Sequence, residues 1–199
     1  MRLIVATRNR HKVAEIRAVL AIPGLELIAA ADWPGLPEVE ETGLTFADNA
    51  ILKAVAAARA TGLRALADDS GLEVEALQNA PGVRSARFAG EGADDAANNR
   101  KLLELMDGVS DRRAHFRCVI ALADPSGAAQ TVDGVCSGKL LTAPRGAHGF
   151  GYDPLFVPDG GTLTFAELPA ETKNRVSHRA LALAAARTAW SHIFCISPR

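Results

Sequence analysis

The feature that most restricts the fold is a repeated change of hydrophobic period along the chain. RLIVAT is an apolar run that reads as a short buried strand, and HKVAEIRAVL follows with Val13, Ile16, Val19 and Leu20 at helical spacing. LELIAA reads as a second strand, and DWPGLPEVEETG as a loop rich in Pro, Gly and acid. TFADNAILKAVAAARATG is the clearest helix. Thr45 and Asp48 approximate a capping box at its start and Gly62 stops it. Phe46, Ala50, Ile51, Ala54, Val55 and Ala58 form its apolar stripe, while Asn49 and Lys53 share another face.

RALADD is expected to be a third strand that ends in the acidic pair Asp68-Asp69. DDAANNRKLLELMDG reads as a helix, and AHFRCVIALADPSGAAQTVDGVCSG as two strands joined by a turn at DPSG. GFGYDPLFVP is Gly-rich and then apolar, and SHRALALAAARTAW is helical. Strands mixed with helices, plus one hairpin, predict an α/β protein with a mixed sheet over residues 1–199, with polar clusters gathered beyond the carboxyl ends of the strands.

Composition removes several function classes. A net charge of −1 over 199 residues, with no basic stripe, argues against a nucleic-acid-binding protein. The opening apolar run is far too short for a membrane span or a signal-peptide core, so no membrane association and a cytoplasmic location are expected. Cys118, Cys136 and Cys195 are odd in number and widely spaced, which argues against a disulfide framework or a structural zinc site.

Five polar clusters could carry chemistry. In ATRNRHK, Thr7, Asn9 and Lys12 put a hydroxyl, an amide and an ammonium on one strand-to-helix turn, where backbone N–H groups favour an anion. The same residues also suit a capped helix with a solvated lysine. Glu38, Glu40 and Glu41 precede a helix, an ordinary place for acid. Together with Asp68 and Asp69 they would suit Mg²⁺, which takes oxygen ligands from one or two carboxylates plus substrate phosphates. Lys12 and Lys53 would then meet phosphate oxygens. In GFGYDP, Gly149 and Gly151 allow close backbone approach, and Phe150 and Tyr152 offer stacking surfaces for a flat base. A hairpin corner packed by aromatics fits that segment equally. In ETKNRVSHRALAL, Ser177 can cap the last helix, which puts His178 and Arg179 in its first turn. Cations there oppose the helix dipole, which points to a ligand-facing role, with Lys173 adding charge.

Six segments occur in the order of a known family: ATRNRHK, EETGLTFADNAILKA, ADDSGLEVEAL, PGVRSARFAG, GFGYDPLF and SHRALAL. Over residues 3 to about 185 the chain resembles the inosine triphosphate pyrophosphatase-like family of nucleoside triphosphate pyrophosphatases. The resemblance implies an elongated two-lobed α/β fold, a central mixed sheet flanked by helices, the active site in the cleft between lobes, and a homodimer. It implies Mg²⁺-dependent hydrolysis of ITP, dITP and XTP to the monophosphate and pyrophosphate, which cleanses the nucleotide pool. By motif, the turn from Thr7 through Arg8, Asn9, Arg10 and His11 to Lys12 should meet the triphosphate, as should Lys53. Glu41 with Glu40 should hold Mg²⁺. Asp69 should be proton acceptor and metal ligand, with Asp68 in support and Ser70 touching substrate. Phe150, Gly151, Tyr152 and Asp153 should line the base pocket, completed by Lys173, His178 and Arg179. Arg8 stands where many members carry glycine, so either a phosphate contact or an outward direction is open to it. Nothing catalytic is expected of ADWPGLP or SHIFCISPR.

Overall fold

The computed structural model describes residues 1–194. Six strands, β1 (Arg2–Val5), β2 (Glu26–Ala29), β3 (Ala65–Val74), β4 (Arg113–Ala123), β5 (Ala129–Leu140) and β6 (Phe156–Pro158), form a mixed sheet in the order β2-β1-β3-β4-β5-β6. β1 pairs parallel with β2 and β3, and β5 pairs antiparallel with β6. The helices are α1 (Arg10–Val19), α2 (Phe46–Thr61), α3 (Asp95–Leu105), α4 (Ala170–Val176) and α5 (His178–Ala189). The α/β class with a mixed sheet is as the periodicity predicts, whereas α4 has no counterpart among the expected helices.

Local signals set several boundaries. The Thr45–Asp48 capping box is formed at the start of α2, and Gly62 ends that helix in the left-handed conformation. Of the expected α2 stripe, Phe46, Ala50, Ala54 and Ala58 are buried, but Ile51 and Val55 are only half-buried. Ala57 and Asn49 are buried in their place, so the inward face is rotated toward Asn49.

One expectation fails. The acidic pair does not end β3; it lies inside a ten-residue strand. Ser70-Gly71 looks like a turn signal, yet Gly71 serves close approach. A Cβ there would collide with the Gly82 carbonyl and the Ser85 hydroxyl. Ser85 Oγ accepts the Leu72 N–H at 2.9 Å and donates to Gly82 O at 2.7 Å, which carries the strand onward.

The chain divides into two units. The first holds Met1–Asp69, Cys118–Gly134 and the segment from Arg179 onward; the second holds Ser70–Arg117 and Val135–His178. Each has its own core. In the first, Leu3 and Val5 of β1, Val13 and Ile16 of α1, Leu66 of β3, Ile120 of β4, Ala182 and Leu183 of α5, and Trp190 pack together. In the second, Leu72, Leu102, Phe116, Tyr152, Phe156 and Phe165 do so, with the rings of Phe116 and Phe156 4.8 Å apart and edge-on. Cys118 and Cys136 are free and buried; Cys195 lies outside the described residues. Among the described residues, no helix is long and apolar enough to cross a membrane.

Candidate active site

The first unit gathers the charged residues that the sequence singles out. Asn9 is the N-cap of α1, its Oδ1 accepting from the backbone of His11 at 2.9 Å and Lys12 at 3.2 Å. Thr7 Oγ1 in turn accepts the Asn9 N–H at 3.3 Å. This turn fixes the start of α1 and sends Lys12 Nζ to Asp68 Oδ2 at 3.0 Å. Arg10 and His11 are exposed, and Arg8 donates to the carbonyl of Leu36 at 3.0 Å.

Asp68 and Asp69 are neighbours in a strand, so their side chains leave on opposite faces. Asp68 is fully buried, and its Oδ2 accepts Nη2 of Arg179 at 2.9 Å and Nε at 3.2 Å. Arg179, 1% exposed, also donates to Glu15. Burial alone would raise the Asp68 pKa, but the charges of Lys12 and then Arg179 outweigh it and hold the carboxyl well below the usual range. The sequence aims Arg179 at a ligand; in the structure its guanidinium is engaged by carboxylates.

Asp69 has a different environment. Its Oδ2 accepts from Asn49 Nδ2 at 3.1 Å and its Oδ1 from Lys53 Nζ at 3.2 Å. The same ammonium donates to Glu41 Oε1 at 2.5 Å. Burial raises the Asp69 pKa; Lys53 and Lys12 pull against it, the Glu41 charge adds to it, and the net direction is upward. Lys53 itself is raised, because the charges of Asp69, Asp68 and Glu41 outweigh its burial. Glu40 is exposed, so Glu41 is the glutamate that joins the cluster.

These contacts link four carboxylates, Glu15, Glu41, Asp68 and Asp69, to three cations, Lys12, Lys53 and Arg179. Asp69 and Glu41 share the Lys53 ammonium. All the candidate ligands are oxygens, and two carboxylates within reach of one Nζ are within reach of a common small cation. That fits Mg²⁺, which is usually held by one or two carboxylates with water and phosphate completing the shell. Among the described residues, no three His, Cys, Asp or Glu side chains group as a protein-only metal cage.

The second unit builds the glycine loop. Gly149 and Gly151 have positive φ values of 75° and 62°, and a side chain on Gly149 would collide with Asp153 Oδ2. That oxygen accepts from the Phe150 N–H at 2.9 Å and from Lys173 Nζ at 2.5 Å. Asp95 Oδ2 accepts the Gly151 N–H at 2.6 Å, and Asn99 Nδ2 donates to the Gly151 carbonyl at 2.8 Å. Two expected pocket residues have partners within the unit. Tyr152, 3% exposed, packs in the core and donates its hydroxyl to Ser85 O at 2.9 Å, and Asp153 braces the loop from within.

Phe150 remains half-buried, with Lys173 Nζ 4.9 Å from its ring centre. His178 opens α5 and stacks on Phe116 at 4.6 Å, and Ser70 is half-buried on β3. Asn49, Glu15, Asp95 and Asn99 are the partners that sequence reasoning did not assign. For three of them the signal is the four-residue spacing that puts Asn49 with Lys53 and Asp95 with Asn99 on one helix face; Glu15 has none of this kind.

A mixed-sheet α/β fold with a lysine-bridged pair of carboxylates defines the class. Comparison with known proteins then gives the family: the Ham1 family model matches residues 3–189, and the chain belongs to the Ham1 family. It is 56% identical over 185 residues to the dITP/XTP pyrophosphatase of Desulforamulus reducens, covering 92% of each chain. It is 54% identical to the protein of the same name from Geobacter sulfurreducens, covering 92% of this chain and 93% of that one. Among solved structures, a HAM1 protein from Coxiella burnetii is 43% identical, with a TM-score of 0.88 over 96% of this chain and 99% of that one.

Proposed function

We propose that this protein hydrolyses dITP, ITP and XTP to the monophosphate and pyrophosphate. The observation that carries the reading is the Lys53 ammonium shared by Glu41 and Asp69, beside the Lys12–Asp68 pair. Relatives of 54–56% identity named dITP/XTP pyrophosphatase support it.

Phosphoryl transfer needs charge neutralisation and in-line positioning more than covalent help. Glu41 and Asp69, with exposed Glu40 beside them, would hold Mg²⁺, which supplies neutralisation of phosphate charge when bound. Lys12 and Lys53 hold the triphosphate as point charges, and the exposed side chains of Arg10 and His11 on the α1 turn offer further donors to the same anion. A carboxylate oxygen of Asp69 takes a proton from the water that attacks the α-phosphorus. The bond from that phosphorus to the bridging oxygen breaks, and pyrophosphate leaves. Burial raises the Asp69 pKa, which makes it a stronger base than a surface carboxylate.

Base recognition is assigned to Phe150, Lys173 and His178. Phe150 offers a half-buried ring for stacking, and Lys173 and His178 offer donors to the 6-oxo group of hypoxanthine or xanthine. The same donors disfavour the amino group of adenine. We further take the protein to act as a cytoplasmic homodimer that cleanses the nucleotide pool.

The test is product analysis with dITP and Mg²⁺. Monophosphate plus pyrophosphate is expected; a diphosphate plus inorganic phosphate overturns the reading.

A further inference from the structure

We infer that Asn49 is a positioning residue that ties the Glu41 loop and Asp69 together, so that the two carboxylates keep one fixed spacing. The inference rests on the reading of Glu41 and Asp69 given under Proposed function.

Asn49 is fully buried on the first turns of α2. Its Oδ1 accepts the backbone N–H of Gly43 at 2.7 Å, and its Nδ2 donates to Asp69 Oδ2 at 3.1 Å. The partners dictate this orientation: a backbone N–H requires an acceptor, and a carboxylate requires a donor. Gly43 is two residues from Glu41, so one side chain grips both the glutamate loop and the aspartate. One turn further along α2, Lys53 contacts the other oxygen of Asp69 and also Glu41. Asp69 is thus held at each oxygen by a separate side chain of one helix, which fixes the plane of its carboxylate.

Gly43 shows how closely the loop is drawn in. A Cβ there would stand 2.6 Å from Asn49 Oδ1, 2.6 Å from Asp48 Cβ and 3.0 Å from the Asn49 backbone nitrogen. Packing alone does not call for an amide at this position. The inward face of α2 is otherwise mostly alanine, at Ala50, Ala54, Ala57 and Ala58, and a buried amide costs desolvation that alanine does not. The amide is explained by its two opposite hydrogen bonds. Aspartate could accept from Gly43 but could not donate to an ionised Asp69, and alanine could do neither.

The experiment compares the wild type with Asn49→Asp and Asn49→Ala. It measures kcat and KM for dITP, hydrogen exchange at the Gly43 amide, and thermal unfolding. In Asn49→Asp, kcat is expected to fall about 100-fold, the cost of a small misplacement of a reacting group. KM should stay within about threefold, because binding common to ground and transition state is untouched. The Gly43 amide should remain protected in that variant. In Asn49→Ala, Gly43 exchange should rise about tenfold or more, the mark of a lost local restraint. A folded Asn49→Asp protein with kcat within about threefold of wild type overturns the inference, since transition-state positioning is then unaffected. So does unchanged Gly43 exchange in Asn49→Ala. Failure of both variants to fold overturns it in favour of a core-filling role. Wild type that forms no monophosphate from dITP defeats the proposed function instead, and the Gly43 exchange comparison still decides the tether.

Discussion

The two sides of β3 around its acidic pair form a natural comparison. On one side, Asp68 is sealed from solvent and held by Lys12 and Arg179, with Glu15 behind the arginine. On the other, Asp69 and Glu41 share the single ammonium of Lys53, and Asn49 holds the remaining oxygen of Asp69. The side chains are chemically identical and adjacent, yet their pKa values move in opposite directions. For the first, the charges of Lys12 and Arg179 outweigh burial; for the second, burial outweighs the pull of Lys53 and Lys12. On the proposed function, the Asp68 side serves as a fixed electrostatic scaffold, and the Asp69 side is where added positive charge and proton transfer would be accommodated.

The largest expected effect breaks the Asp69 side. Asp69→Asn should lower kcat by roughly 10²–10⁴-fold, the usual worth of a general base. Its melting temperature should hold or rise, because a buried carboxylate with a raised pKa opposes folding when ionised. Next comes Asp68→Asn, which leaves the buried Arg179 without its main counter-charge. Breaking a buried pair costs about 3–5 kcal/mol, or a fall in melting temperature of about 10 °C at this chain length, readable by calorimetry.

Lys53→Met sharpens the contrast. It removes a charge that holds the Asp69 pKa down, so the acidic limb of the pH–rate profile should move to higher pH, while acid unfolding governed by Asp68 should change less. The acid limb of stability belongs to the Asp68 side. Its folded pKa is depressed, so its contribution is complete above the unfolded value near ~3.9 and is lost as pH falls below that value. Urea midpoints measured through this window should therefore drop, and Asp68→Asn should flatten the drop. The smallest effect is in the second unit: Tyr152→Phe removes the hydrogen bond to Ser85 and should cost about 1 kcal/mol, seen as a few degrees in melting temperature.

What could be read from sequence was local. The Thr45–Asp48 box, the Gly62 stop and the cap at Asn9 depend on residues within one turn, and all three are formed. The hairpin turn at DPSG is likewise closed by Asp124 and Ala128. What misled was long-range. Ser70-Gly71 resembles a turn until Ser85 is placed against it, and the Ser85 carbonyl that takes the Tyr152 hydroxyl lies 67 residues away in sequence. The two environments of the acidic pair were equally hidden, because the arginine that settles Asp68 lies 111 residues away in sequence. Within the candidate site, the residue types and, through the family resemblance, the supporting role of Asp68 and the base role of Asp69 are expected from sequence, but the partners around each, Arg179 and Glu15 on one side and Asn49 on the other, emerge only in the packed structure.

The most direct test is a carboxyl-carbon NMR titration of Asp68 and Asp69 in the metal-free, nucleotide-free protein. Asp69 should titrate above the ordinary aspartate value near ~3.9, and Asp68 should stay ionised below it. Coincident titration of the two carboxyls, or the reverse order, would contradict the assignment of scaffold and reactive sides.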